Sequence, residues 1–275
     1  MFGSLGAHYL RVKPYEDFGG VPSGASCERF VLGEQPAGFV RVNLAAYHLA
    51  VPDVAGKVVV DVGTNEGAGA ALLARHAARV VAFDRSEAGI ASARARHSLP
   101  NLLFHVHDAA RPFPLPDQSA DVVFSSEVIE HLPDGGALLR GALRALRPGG
   151  LLLLKTPNDD FNRLENRLNP HHVNPYTPKR LRHEVEKLFE VAAISGLTYD
   201  VALLRTLEER PEPHPPELEP YRFGDPIVID RGLLVRLQIT PRWVPLPGAE
   251  APEYLWVRAT APRGGRPQET PPTGR

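Results

Sequence analysis

Glu127, Glu130 and His131 hold the most chemically suggestive spacing in this chain of 275 residues. Within Glu127-Val-Ile-Glu-His-Leu132 they stand at i, i+3 and i+4, positions that share one face of a helix, so two carboxylates and an imidazole would converge there. His171 and His172 follow in a polar stretch and offer a fourth ligand. Such a trio with a fourth ligand could hold a divalent cation. An oxygen-rich set of this kind suits Mg or Mn, and the ion could bind a vicinal diol and acidify one hydroxyl. Without an ion, Glu127, His131 and His172 are the candidate bases for taking a proton from a high-pKa hydroxyl. The plainer readings are that His131 packs or caps beside a pocket and that the loop histidines are solvated, although one of them, with Tyr176, is placed to line an acceptor pocket.

The elements that must position these residues are legible from apolar runs that end in acids. Val58 to Val62 reads as a buried parallel strand that stops at Gly63 before Ala/Leu-rich, helix-prone Ala68 to Ala78, the arrangement with which α/β sheets bind ligands. A dinucleotide fingerprint starting at Gly63 would need glycine at 65 and 68, where the chain has Asn65 and Ala68. What remains is an acid, Asp61, with Gly63 and Gly67. Further strands are expected at Arg79 to Asp84, Asn101 to Asp108, Ala120 to Ser126 and Leu151 to Lys155. The last follows a Pro148-Gly149-Gly150 turn and leads into Thr156-Pro-Asn158.

The Asp61 to Gly67 segment resembles the first motif of the class I S-adenosylmethionine-dependent methyltransferases, whose usual form has a glycine where this chain has Asn65. Asn is the residue besides glycine that best tolerates a left-handed backbone, so the departure is mild. The resemblance covers about residues 30–197. It extends to Glu28-Arg-Phe30, Glu127 to Pro133, Lys155 to Asn158 and the Asn169-Pro-His-His-Val-Asn-Pro-Tyr-Thr-Pro178 stretch, which look like a bacterial branch of that family. It implies an α/β fold, a Rossmann-like, doubly wound sheet of seven strands whose last strand, Tyr254 to Ala261, runs antiparallel beside the fifth. It also implies that Asp61, Gly63, Asn65 and Gly67 hold the methionine part of the cofactor, that Asp84 takes the ribose hydroxyls, and that Asp108 and Ala109 flank the adenine. The implied reaction is methyl transfer to an oxygen, less readily a nitrogen, of a small molecule or sugar.

Part of the chain is also similar to the small-RNA 3′-terminal 2′-O-methyltransferases, with E-x-x-E-H at Glu127 to His131, then Thr156-Pro-Asn-Asp-Asp-Phe-Asn162, then His171 and His172. The aromatic-rich recognition stretch of that family is replaced here by Val173-Asn-Pro-Tyr-Thr177. This second resemblance implies a metal-dependent enzyme acting on RNA ends, with Glu127, Glu130, His131 and His172 as candidate ligands. A third alternative is a protein that binds S-adenosylmethionine without catalysis.

With 31 basic and 32 acidic side chains, the formal charge of −1 gives no global pull towards nucleic acid or anionic membrane. One cysteine, Cys27, excludes an intramolecular disulfide and suits a cytoplasmic setting; no signal peptide or spanning run is expected. Proline and glycine placement divides the chain into an irregular arm at 1–36, one methyltransferase domain at 37–262 and a tail at 263–275. The domain begins with a helix over Ala37 to Ala50. Towards its end come a helix from Pro178 to Lys187, a strand near Phe189 to Ser195 and an insertion at about 199–252 that contains a proline- and glutamate-rich loop at 208–220 and a strand at Ile227 to Ile239. Trp243 and Trp256 read as packing residues.

Overall fold

The computed structural model describes residues 37–160, 169–197 and 254–263. The arm at 1–36, the whole insertion at 199–252 with its loop, its strand and Trp243, residues 161–168, and all but the first residue of the tail lie outside the described residues.

Among the described residues, seven strands form one sheet. β1 (Val58–Val62), β2 (Arg79–Asp84), β3 (Leu102–Val106), β4 (Ala120–Ser126), β5 (Leu146–Pro157), β6 (Glu190–Leu197) and β7 (Tyr254–Thr260) are ordered β3-β2-β1-β4-β5-β7-β6. The first five pair in parallel, and β7 enters antiparallel between β5 and β6. The order reverses at β1, where β2 and β3 lie to one side and β4 and β5 to the other. Its carboxyl end is therefore the switch point at which such sheets bind ligands. Val59, Val60 and Val62 of β1 are buried, which is why the strand reads as a continuous apolar run.

The helices are α1 (Ala37–Val54), α2 (Ala68–Ala74), α3 (Glu87–Arg96), α4 (Gly135–Ala145) and α5 (Pro178–Glu186). α1 runs beyond the expected Ala50, through Pro52, to Val54. α2 is shorter than its alanine content predicts, because the chain must leave the helix to start β2 beside β1: Ala78 and Arg79 both donate to the Lys57 carbonyl. α5 is capped by Thr177, whose Oγ1 accepts from the Arg180 amide, with Pro178 in the first turn.

The expected turn at Pro148-Gly149-Gly150 is absorbed into β5, which pairs with β4 from Leu146, across an irregularity in register, and then from Leu151. Gly149 adopts φ 76° and its amide donates to the Ala261 carbonyl, so the turn residues fasten the end of β7 rather than precede a strand. Among the described residues no helix is long and apolar enough to cross a membrane.

Candidate functional site

The turn after β1 carries three left-handed residues, Gly63 (φ 79°), Asn65 (φ 51°) and Gly67 (φ 80°). Asn65 therefore adopts the conformation for which the usual motif uses glycine. At the other two positions even a methyl group is excluded. A Cβ on Gly63 would collide with Val128, and one on Gly67 would lie 2.6 Å from the Phe104 ring. Asp84, at the end of β2, accepts from the Asn65 amide at Oδ2 (2.9 Å) and from the Ser86 amide at Oδ1 (2.8 Å). The carboxylate expected to meet a ribose thus also fixes the turn, and each oxygen retains a lone pair for a further donor. Asp108 follows β3 and accepts from the Ala110 amide (2.9 Å), with Ala109 buried between them.

Asp61 is fully enclosed in β1. Burial pushes its carboxyl up to about 7, opposed by hydrogen bonding with Thr64 and Tyr47 and assisted by the nearby Asp84 charge. Tyr47 was invisible to motif reading, and the one trace of it in the sequence is Gly69 inside an alanine-rich helix.

The segment after β4 departs from its expected form. Residues 127–131 are not a helix: Glu127 has φ 58°, and only a single 3₁₀ turn, Ile129–His131, follows. The left-handed residue swings Glu127 away from its neighbours, and its Oε1 pairs with Lys155 Nζ at 2.8 Å. Lys155, the lone charge in the apolar β5 run, is buried and lies 3.9 Å over the Tyr254 ring. Of the four candidate ligands, three come together: ligand atoms of Glu130, His131 and His172 all lie within 4.8 Å of one another, and Glu127 does not join them.

Each member of that group is held in place. Glu130 is buried, its Oε2 accepts from Thr156 Oγ1 (2.9 Å), and among the described residues its Oε1 accepts no hydrogen bond. Burial and the Glu127 charge raise its pKa well above the usual carboxylate range, with Thr156 and Lys155 opposing. His131 Nδ1 lies 3.0 Å from the His171 carbonyl, a contact that a ring nitrogen makes as a donor, and its Nε2 lies 3.9 Å from Glu130 Oε1. The His131 and His172 rings meet edge to face at 4.9 Å. His171 thus contributes its backbone rather than its ring to the cluster.

Tyr176 does not line a pocket. It is fully buried, its hydroxyl accepts from Asn174 Nδ2 (2.9 Å) and donates to Glu184 (3.2 Å), and it joins the loop to α5. Trp256 is buried against Phe124, as expected of a packing residue.

This seven-stranded order with an antiparallel seventh strand, and a turn built of left-handed residues at the β1 switch point, define the class I methyltransferase architecture. Residues 60–154 match the methyltransferase domain family model. A Mycolicibacterium smegmatis protein described as a probable S-adenosylmethionine-dependent methyltransferase is 38% identical over 152 residues, covering 54% of this chain and 58% of the relative. A phthiotriol/phenolphthiotriol dimycocerosates methyltransferase of Mycobacterium tuberculosis is 37% identical over 114 residues, 40% of this chain and 42% of that protein. The chain thus matches about half the length of these curated relatives. Among solved structures, an S-adenosylmethionine-dependent methyltransferase from Mesorhizobium loti shares the fold with a TM-score of 0.53 at 18% identity, over 78% of this chain and 95% of that one.

Proposed function

We propose that this protein transfers the methyl group of S-adenosylmethionine to a hydroxyl oxygen of a small molecule or sugar. The Gly63–Gly67 turn holds the methionyl part, Asp84 accepts from the ribose hydroxyls, and Asp108 with Ala109 borders the adenine. The sulfonium supplies the reactivity. An acceptor oxygen attacks the methyl carbon in line, the C–O bond forms as the C–S bond breaks, and the pair returns to sulfur to leave neutral S-adenosylhomocysteine. The acceptor proton goes to His131 Nε2, with His172 beside it and Glu127 paired with the enclosed Lys155.

One observation carries the preference for oxygen. With Nδ1 committed to the His171 carbonyl, neutral His131 presents its basic nitrogen at the end of β4. A high-pKa hydroxyl needs such a base, whereas an uncharged amine attacks without one. The relative named for phthiotriol dimycocerosates is similarly named for an alcohol. Incubation with methyl-labelled S-adenosylmethionine and a panel of diols, phenols, sugars and amines tests the reading: an O-methyl resonance in the product supports it, and exclusive N-methyl product contradicts it.

The Glu130–His131–His172 group also favours a second reading, a divalent cation at these residues and the ribose hydroxyl of an RNA 3′ end as acceptor. A histidine that donates its other ring nitrogen to a backbone carbonyl and a buried carboxylate oxygen that accepts no hydrogen bond are what a cation site supplies. Two imidazoles and one carboxylate suit zinc, manganese or iron(II) better than magnesium. The ion would acidify the bound hydroxyl. Under this reading a chelator abolishes activity and Glu130→Ala loses manganese binding; under the first neither has that effect.

A further inference from the structure

Tyr47 stands outside every motif, on α1, yet its hydroxyl lies 3.3 Å and 3.5 Å from the two carboxylate oxygens of Asp61. Its ring fills the space that a Cβ on Gly69 would need, and it packs against Phe124 at 4.4 Å between centroids. One side chain therefore ties together α1, β1, α2 and β4 at the base of the Gly63–Gly67 turn. Gly69 admits it, since any side chain at that position would displace the phenol. Asp61 has no exposed surface, so water cannot replace a lost hydrogen bond there. The groups that act on its carboxylate are Tyr47 from α1, Thr64 from the turn and the Asp84 carboxylate from β2.

We propose that Tyr47 is a positioning residue of the cofactor site, acting through Asp61: its hydroxyl fixes and stabilises the enclosed carboxylate that serves as the electrostatic counterpart of the cofactor's methionyl ammonium. The inference rests on S-adenosylmethionine being the ligand of this turn. An enclosed carboxylate with no cation beside it resists ionisation, and a donated hydrogen bond favours its charged form. Tyr47 therefore governs both how tightly the cofactor binds and the pH above which it does so. It also links the seating of α1 to the cofactor site.

The test is the calorimetric affinity for S-adenosylmethionine between about pH 5.5 and 9 for wild type, Tyr47→Phe, Asp61→Asn and the double variant. Tyr47→Phe should bind about tenfold more weakly near neutrality and move the acid limb of the affinity profile to higher pH, because Asp61 becomes harder to ionise. In the Asp61→Asn background the same change should add little. Gly69→Ala, which displaces the ring while keeping the hydroxyl, should shift the profile in the same direction and replaces Tyr47→Phe if that variant does not fold. Unchanged affinity and profile in Tyr47→Phe, a lowered melting temperature with an unmoved profile, or full additivity with Asp61→Asn would each overturn the proposal. Wild type that gives no heat would instead overturn the cofactor assignment on which it stands.

Discussion

The Val128 side chain occupies the space that a Cβ on Gly63 would need, so the segment after β4 rests directly on the turn after β1. The two strands pair in parallel, Val62 beside Ser125, and this brings the cofactor turn and the Glu127 to His131 segment to one edge of the sheet. Gly63→Ala should lose about 1–2 kcal/mol to the left-handed backbone alone, with a comparable further loss from the collision. Adding Val128→Ala should recover the collision part only. Chemical denaturation of the two single variants and the double checks this: simple additivity would contradict the contact.

Asp61 makes stability depend on pH. Its carboxyl titrates at about 7 in the fold and near 3.9 in an unfolded chain, so between these values the folded protein binds the extra proton. Stability from this group is therefore full below about pH 4 and is lost as pH rises through 7. Asp61→Asn should flatten that slope and, relative to wild type, gain on the order of a few kcal/mol between pH 4 and pH 8. Urea melts across that range would show parallel curves if Asp61 titrated normally.

Glu127 and Lys155 should respond unequally to removal. Lys155 is enclosed, whereas Glu127 keeps about a quarter of its side chain exposed (27%) and can rehydrate. Glu127→Gln, which removes the carboxylate charge paired with the buried ammonium, should cost more than Lys155→Met, which removes the buried charge itself. Thermal unfolding distinguishes the two; equal losses would contradict the asymmetry.

Tyr176→Phe should cost about 1 kcal/mol, through the hydrogen bonds to Asn174 and Glu184, and leave affinity for S-adenosylmethionine unchanged. A weakened cofactor affinity in this variant would place Tyr176 back beside the site.

β1, β2 and β4 were legible because they are largely buried apolar runs, and burial on both faces leaves no alternation to misread, whereas β3 exposes Leu103 and Val106. The left-handed state of Asn65 was legible from residue type. Glu127 was not. Its spacing from Glu130 and His131 fits a helix face, but a left-handed residue after β4 ends any helix before it starts, and nothing local in Glu-Val-Ile-Glu-His announces that. Tyr47 and Lys155 were missed for a different reason: their roles come from partners brought in by the fold, 14 residues away in Asp61 for the one and 28 in Glu127 for the other. Gly69 and a single lysine in a leucine run are the only marks they leave.

The most direct test of the account is titration calorimetry of the wild-type protein and Asp84→Ala with S-adenosylmethionine, with thermal melts to confirm that the variant is folded, since Asp84 also holds the Asn65 and Ser86 amides. Saturable binding at one site per chain, weakened at least about tenfold by Asp84→Ala, is the predicted result. No heat with wild type, or equal affinity in the folded Asp84→Ala variant, would contradict the assignment of the turn after β1 and the acid after β2 as the cofactor site.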